Sequence, residues 1–395
     1  MYSSSFRTLI EAKFYKHNYG FRPNRSTEHA IAACHQKITL AHLQYVVDVD
    51  IKGFFDEVNH TKLMRQLWTL GIRDKQLLVI IRRILKAPIR FPNSTTVIPN
   101  KGTSQGGILS PLLANVCLNE FDWWVAKQWE TRTAKEYKAY FRNNGTLYRG
   151  NYYKKLRSST NLKEMYLIRY ADNFKIFCRT RKEAQKIFIA VKLWLKERLK
   201  LPISEEKSHI TNLKKQRSEF LGFELTMKPK RKSYIMRSHV SKKAKKNIKN
   251  QLKEQIKVIQ KSPNSDTAIR NIAIYNSKVV GIHNYYRIAT MVNLDLNRIN
   301  YELKLAMNNR LSKYGLSKNG KYKGTDRNIL PYLSSKMVRY LNNRPILPVG
   351  FAKHRKPMNK KITIIKERLE NIASLDKINC ALVDKRTIDY FLENL

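Results

Sequence analysis

The sequence predicts an α+β protein in which short strands and a hairpin come first and a long helical region follows. Residues 44–51 (QYVVDVDI) alternate β-branched and polar side chains, as a half-buried strand does. Residues 165–178 place two apolar segments around the turn Tyr170-Ala171-Asp172-Asn173, which is the pattern of a β-hairpin. After a basic stretch that begins at residue 228, helical patterns continue to about residue 311. Together these observations favour the α+β class.

The remaining elements follow from local spacing and turn residues. The first half is expected to contain a helical segment over 1–44 interrupted at 20–27, a helix over 28–43 capped by Ser26 or Thr27, helical spacing over 60–88, and a turn-rich stretch over 102–111. After it come a helix over 112–124, a polar, Tyr-rich insertion loop over 125–163, a helix over 181–199 and a strand over 219–227. A run dense in Lys and Arg begins at residue 228.

The charge balance is the first indication of function. Lys and Arg total 77 against 30 Asp and Glu, which gives a formal net charge of +47. Such an excess destabilises a compact chain by self-repulsion, and a polyanionic partner relieves it. Interleaved tyrosines favour nucleic acid over lipid, because aromatic rings stack on bases; a generally basic ribosomal-type protein is the alternative. No apolar run approaches the roughly 18 residues of a membrane span, and scattered cysteines without a CxxC pair are typical of a reducing cytoplasm.

Two carboxylates stand where a rigid sheet would fix them. Asp50 ends the strand over 44–51, and Asp172 lies at the tip of the hairpin. Nucleotide transfer needs two divalent ions, and Mg²⁺ is typically held by one or two carboxylates and substrate phosphates. Each aspartate, taken alone, is equally typical of a helix cap or a turn. Asp48, two residues before Asp50, is a further candidate ligand, although a structural role is favoured.

Six segments occur in an order that carries a family resemblance. They are FRPNRSTEHA, DVDIKGFFDEVNH, TSQGGILSPLLANVCLNEFD, RYADNFKIFC, LPISEEKSHI and EFLGFEL. In this order they resemble the palm and finger blocks of bacterial group II intron reverse transcriptases, over about residues 18–226. The stretch YNSKVVGIHNYYR resembles the maturase domain of that family and extends the match to about residue 345. The resemblance implies a right-hand polymerase with an antiparallel palm sheet, partial fingers and a helical thumb and maturase bundle.

The resemblance also implies domain boundaries and site residues. The expected domains are 1–44 (partial fingers), 45–232 (palm, with finger helices at 60–104 and the insertion loop at 125–163), 233–345 (thumb and maturase domain) and 346–395 (basic C-terminal tail). Asp50 and Asp172 would be the catalytic ligands of two Mg²⁺ ions, with Asn173 beside them. The residues assigned to the incoming nucleotide are Ile51, Phe55, Gln105, Gly106 and Lys207. Those assigned to nucleic acid are Arg22, Arg25, Leu221, Gly222, Lys242, Lys246, Tyr285, Tyr286 and Arg287.

Each assignment has a structural alternative. Phe55, placed where the family screens the sugar 2′ position, is also typical of a core residue, and Gln105 of a turn. Tyr285 and Tyr286 would suit either a core or stacking on unpaired bases. The basic run over 228–249 would suit a solvated helix face as well as a thumb that follows the nucleic-acid backbone.

The sequence departs from the family pattern at two places. The hairpin carries Asn173 where the family has a second aspartate, and the chain begins just before the FRPNRST block, as an N-terminally truncated member would. The expected function is RNA-directed DNA synthesis and intron maturase activity, with group II intron RNA, an RNA template with DNA primer, and dNTPs as partners. The alternative is a polymerase-impaired cofactor that only binds intron RNA. A host-defence reverse transcriptase is disfavoured by the basic thumb, and a homodimer is left open.

Overall fold

The computed structural model describes residues 2–90, 93–104, 106–132 and 149–357. Among these, the residues up to Gln216 form one compact unit and those from Arg217 form a second. Within these ranges, no helix combines the length and the apolar character that crossing a membrane would require.

The first unit is built on a four-stranded antiparallel sheet. Its strands are β1 (Tyr45–Asp50), β4 (Met165–Tyr170), β5 (Asn173–Cys178) and β6 (His209–Asn212), and a small hairpin apart from the sheet is formed by β2 (Ile89–Arg90) and β3 (Thr96–Val97). The order across the sheet is β4-β5-β1-β6, so β1 is an interior strand with a partner on each side. The register places Tyr45 opposite Cys178 and Asp50 opposite Asn173. Both predicted strand segments are therefore confirmed, and they are neighbours.

The first unit also contains helices, several of which pack against this sheet. They are α1 (Tyr2–Lys13), α2 (Thr27–Thr39), α3 (Phe54–Glu57), α4 (His60–Thr69), α5 (Lys75–Leu85), α6 (Ser110–Gln128), α7 (Arg149–Ser159) and α8 (Arg181–Trp194), the last continued by a π-helical turn over Leu195–Leu199. Helix α6 contacts both α4 and β4, and most of its side chains are buried. A helix enclosed on several sides needs apolar or paired polar residues around its whole circumference.

Three local expectations need correction. Helix α2 begins at Thr27 and ends at Thr39, and Ser26 precedes it without capping a backbone amide. The Ser26 hydroxyl instead contacts His29 Nδ1 at 2.9 Å. Within the segment predicted as an insertion loop, residues 149–159 form α7, whose Tyr153 ring stacks on Trp129. The two rings are far apart in the sequence, so local spacing does not predict their contact. Residues 133–148 of the predicted loop lie outside the described ranges.

A buried ion pair anchors the hairpin of β4 and β5 to α6. The guanidinium of Arg169 donates to both carboxylate oxygens of Asp122, at 2.7 and 2.6 Å, and neither side chain is exposed. The third nitrogen of the guanidinium, Nη1, donates to Asn115 Oδ1 at 3.0 Å and to the carbonyl of Ala171 at 2.8 Å. Burial raises the pKa of Asp122, and the charge of Arg169 opposes that shift. One arginine thus fixes the hairpin tip relative to the helix beneath it.

The second unit combines a three-stranded antiparallel sheet with three long helices. Its elements are β7 (Ser218–Phe220), β8 (Phe223–Lys230), β9 (Ser233–Val240), α9 (Lys242–Gln260), α10 (Ser265–Tyr286), α11 (Val292–Leu311), β10 (Arg339–Leu341) and β11 (Arg344–Ile346). The single strand predicted over 219–227 is two strands with a tight turn between them, and β9 lies where only helix was expected. Strands β8 and β9 pair across residue 232, so the sheet continues past the predicted end of the palm, and the domain boundaries stay predictions.

Replacing Asp122 by Asn should destabilise the first unit by about 3–5 kcal/mol, because it leaves the guanidinium of Arg169 buried without its counter-charge. All five tryptophans lie in the first unit. Tryptophan fluorescence during urea denaturation therefore reports the unfolding of this unit alone.

The matched control is Lys101→Ala, which removes an exposed ion pair with Glu57. It should change the free energy of unfolding by less than about 1 kcal/mol. Equal effects of the two substitutions would contradict the role given to the buried pair.

Candidate active site

The fold brings Asp50 and Asp172 together. Asp50 is the last residue of β1 and faces Asn173 across the strand pair, and Asp172 is the residue immediately before Asn173. Ala171, which shares the two-residue turn with Asp172, adopts a left-handed conformation with φ of 57°. Burial raises the pKa of Asp172, and the negative charge of Asp50 raises it further. The Asp50 carboxylate therefore lies near that of Asp172, and the two form an acidic centre at one end of the sheet.

Residues after the π-helical turn complete the surroundings of Asp50. Lys207 Nζ lies 3.3 Å from Asp50 Oδ2 and is itself largely exposed. The backbone amide of Asp50 donates to Ser208 Oγ at 3.1 Å, and its carbonyl accepts from the amide of Ser204 at 2.8 Å. Lys207 was assigned to this site from the sequence, and the structure places its cation beside the predicted metal ligand.

Asp48 has a structural role. It forms a buried ion pair with Lys175 and accepts a hydrogen bond from Thr211 Oγ1 at 3.0 Å. His209 Nε2 lies 3.7 Å from Asp48 Oδ2, the same oxygen that accepts from Thr211. These contacts are made between β1 and its two neighbouring strands, so Asp48 stabilises the sheet and is not a substitute ligand.

The hairpin tip rests on the segment 17–20. Residues Asn18 and Arg169 form a parallel bridge, and Asn115 Nδ2 donates to the carbonyl of Gly20 at 2.8 Å. A Cβ at Gly20 would lie 2.2 Å from the backbone nitrogen of Ala171, which backbone atoms cannot accommodate without moving. Glycine is therefore needed at position 20 because the backbone passes directly against the turn that carries Asp172. The sequence assigned no role to Gly20 or Asn115.

The predicted nucleotide-binding residues Ile51, Phe55 and Gly106 lie directly after β1, in α3 and in the loop before α6. Phe55 is half-buried at the start of α3, and its carbonyl accepts from the amide of Thr103 at 2.7 Å. Gly106, exposed with φ of 80°, follows in the loop that leads to α6. The Ile51 side chain is buried, so only its main chain is available to a ligand. Gln105 lies outside the described residues.

The donor set fits Mg²⁺. Two carboxylates and the side-chain amide of Asn173 supply only oxygen ligands from protein, and this ion is commonly completed by substrate phosphates and water. No cluster of three His, Cys, Asp or Glu residues suited to a metal occurs within the described ranges. With two carboxylates and one neutral amide as its protein ligands, the site is expected to hold the ion weakly until a nucleotide supplies phosphate oxygens.

Arg22 is a correction among the predicted nucleic-acid contacts. Its Nε donates to Glu11 Oε2 at 2.6 Å, and its other nitrogens donate to the carbonyls of Glu11, Tyr15 and Asn18. The side chain is only 6% exposed, because it ties α1 to the chain that follows. Arg25 is partly exposed and lies over the ring of Tyr19, and its assignment stays a prediction.

The second unit gathers four predicted nucleic-acid contacts at one turn. Leu221 and Gly222 form the two-residue turn between β7 and β8, both with positive φ. Tyr285 Oη donates to the carbonyl of Leu221 at 3.0 Å, and the Tyr286 hydroxyl would lie 3.1 Å from a Cβ built at Gly222. Burial raises the pKa of Tyr286 to about 12.

The basic residues assigned to nucleic acid in this unit lie on α9 and directly after α10. Lys242 and Lys246 are exposed one turn apart at the start of α9. Arg287 follows the end of α10 and lines a different cavity from that of Tyr285 and Tyr286.

Comparison with known proteins gives consistent matches. A model of the family described as reverse transcriptase (RNA-dependent DNA polymerase) matches residues 4–225. The chain is 31% identical over 349 residues to the group II intron-encoded protein LtrA of Lactococcus lactis subsp. cremoris, covering 74% of this chain and 56% of that protein. It is 28% identical over 234 residues to protein YkfC of Escherichia coli K12, covering 56% and 58% respectively.

Among solved structures, apo telomerase from Candida tropicalis is similar with a TM-score of 0.42, at 12% identity over 78% of this chain and 55% of that one. The chain spans little more than half the length of the two sequence relatives. The predicted resemblance to group II intron reverse transcriptases is confirmed, and so is the α+β fold class with an antiparallel palm sheet.

Replacing Asn173 by Asp should tighten the binding of Mg²⁺ by about tenfold or more, since a further negative charge within about 4 Å of a cation contributes several kcal/mol before desolvation is subtracted. Calorimetric titration of the full chain with Mg²⁺ measures the dissociation constant. Asn319→Asp adds the same charge at an exposed site in the other unit and should leave the constant unchanged. Equal affinities for the parent and Asn173→Asp would show that this side chain does not face the ion.

Proposed function

The chain belongs to the reverse transcriptase (RNA-dependent DNA polymerase) family, and from this premise we propose that it copies an RNA template into DNA from a primer, using dNTPs. The observation that carries the proposal is the convergence of Asp50, Asp172 and Lys207 at one end of the palm sheet. Residues far apart in the sequence meet there, and their chemistry is that of nucleotidyl transfer.

Asp50 and Asp172 would hold the two Mg²⁺ ions, with the Asn173 carbonyl as a neutral additional donor. When bound, such ions stabilise the negative charge on the transferring phosphoryl group and activate the attacking hydroxyl. Lys207 would balance the charge of Asp50 before substrate enters, and its exposed side chain would be free to turn toward the triphosphate. The Phe55 ring would exclude a ribose 2′-hydroxyl by occupying its space.

We further propose that the second unit binds group II intron RNA and assists splicing and mobility. The similarity to LtrA covers 74% of the chain, a larger share than residues 4–225, so it extends into the second unit. The exposed lysines of α9 would contact the RNA backbone and contribute affinity without sequence specificity.

A second candidate function is an RNA-binding splicing cofactor without polymerase activity. Asn173 favours it, because an amide brings no charge to the metal site.

Of the remaining predictions, buried free thiols at Cys34, Cys117 and Cys178 support a reducing compartment such as the cytoplasm. A homodimer stays a prediction.

Primer extension on an RNA template with Mg²⁺ tests the polymerase proposal. Asp50→Ala and Asp172→Ala should each lower the rate of extension by about 10³-fold, because loss of several kcal/mol of charge stabilisation is tenfold per 1.4 kcal/mol. Asp266→Ala, which removes an exposed carboxylate at the start of α10, should leave the rate unchanged.

A folded parent chain that binds RNA but extends no primer would support the splicing cofactor instead. Extension by the parent that survives both aspartate substitutions would place the catalytic centre elsewhere.

Replacing Phe55 by Ala should raise incorporation of ribonucleotides relative to deoxynucleotides by about 10- to 100-fold, the usual range for discrimination by a steric pocket. Competition between labelled rNTP and dNTP during primer extension gives the ratio. Phe55→Tyr preserves the ring and should keep the parental ratio. An unchanged ratio in Phe55→Ala would mean that this ring belongs to the core alone.

A further inference from the structure

Helix α10 separates two cavities of the second unit. Tyr285 and Tyr286 line the one beside the turn of β7 and β8. His283, Asn284 and Arg287 line the other, a cavity of about 1110 Å³ bounded also by α11 and by residues 327–332 and 350–356. The stretch that resembles the maturase domain therefore borders two cavities. The one lined by His283, Asn284 and Arg287 contains none of the residues of the proposed polymerase site.

The second cavity is strongly basic. Its described lining residues include Arg287, Arg327, Lys353, Arg355 and Lys356, and no carboxylate is among them. The amide of Arg355 donates to the carbonyl of Arg287 at 2.7 Å, which holds the segment 350–356 against the end of α10. A cavity with this balance of charge favours an anionic ligand.

Three aromatic rings, those of His283, Tyr332 and Phe351, give the cavity a wall of fixed geometry. His283 Nε2 lies 2.7 Å from the carbonyl of Val349, which can only accept, so this nitrogen carries the proton. Nδ1 then accepts from the hydroxyl of Tyr332 at 2.6 Å, and the two rings stack with centroids 5.4 Å apart. Phe351 packs edge-on against Tyr332 at 5.7 Å and remains 37% exposed. Because Tyr332 packs against the Phe351 ring, that ring is held in place for stacking with a bound planar group.

Side-chain amides complete the lining. Asn284, Asn293 and Asn297 are exposed on α10 and α11 where these helices border the cavity. Each offers one acceptor and two donors, which suits the edges of bases. The backbone closes tightly on this side, because a Cβ at Gly350 would lie 2.4 Å from Asn297 Oδ1.

We propose that this cavity binds an unpaired nucleotide of an RNA strand, with its base stacked on Phe351 and the adjoining phosphates held by Arg287 and Arg327. The inference rests on the RNA-binding half of the proposed function. Cations, rings and amides in one cavity match the three parts of a nucleotide, whereas an acidic peptide would need only the cations. The volume exceeds that of a typical small-ligand pocket and leaves room for the strand on either side of the base.

Stacking on Phe351 is tested with a uridine oligoribonucleotide of about ten residues, within the usual site size for single strands, carrying 2-aminopurine at its centre. Binding to the full parent chain should quench the fluorescence of this base. Phe351→Ala should remove the quenching and weaken binding by about 10- to 100-fold, the usual effect of losing one stacked base. Phe351→Trp should restore both.

The matched control is Tyr314→Ala, which removes an exposed ring of the same unit outside the cavity. It should leave quenching and affinity unchanged, and circular dichroism verifies that both alanine variants are folded. Arg327→Ala should reduce the slope of log affinity against log salt concentration by about 1, as expected for one phosphate contact.

Three outcomes would overturn the inference: quenching that persists in Phe351→Ala, an equal loss in Tyr314→Ala, or displacement of the strand by adenosine monophosphate as readily as by unlabelled oligonucleotide, which would indicate a free nucleotide. Primer extension by the parent separates this result from the polymerase proposal. A parent that extends no primer but shows quenching dependent on Phe351 loses the polymerase function and keeps this site.

Discussion

The buried pair of Arg169 and Asp122 is the interaction on which the catalytic geometry depends. It joins the hairpin that carries Asp172 to α6, and the same guanidinium holds the carbonyl of Ala171 in the turn. Moving two charges out of water is costly, and such a pair is stable only when every remaining donor is satisfied. Here Arg169 Nη1 donates to Asn115 as well as to Ala171, and Asn115 also holds Gly20 against the turn. The acidic centre is therefore positioned by a hydrogen-bonded network beneath it rather than by its own ligands.

The two units use charge in different ways. In the first, cations such as Arg22 and Arg169 are buried and matched to carboxylates, so they define the fold. In the second, Lys242 and Lys246 are exposed at the start of α9, and further cations surround the cavity beside α10, whose described lining contains no carboxylate. The net charge of +47 is thus a sum that includes both buried structural cations and exposed ones. Only the exposed cations are available to a polyanion.

The sequence predicted what local patterns determine and missed what long-range contacts determine. The alternation over 44–51 and the apolar segments around Asp172 predicted strands that the structure contains. Their neighbourhood in the sheet, and with it the approach of Lys207 to Asp50, came only from the family resemblance. Arg22 was predicted as a phosphate contact because it is a cation in a basic segment. Its side chain is buried against Glu11 of α1, and local spacing does not show that contact. Strand β9 was missed because it lies within the basic run over 228–249, although it pairs over its whole length with β8.

The interior position of β1 has a consequence for the order in which the chain folds. On the ribosome, residues 45–50 emerge well before the two strands that flank them, 173–178 and 209–212. Until then Val46, Val47 and Val49, which are buried in the finished sheet, have no strand to cover them. Because these strands pair across long sequence separations, the nascent chain must close long loops before the sheet forms. The entropy lost in closing them is offset only when the strands pair. The acidic centre therefore cannot form until residues 172–178 and Lys207 have been synthesised, although Asp50 emerges much earlier.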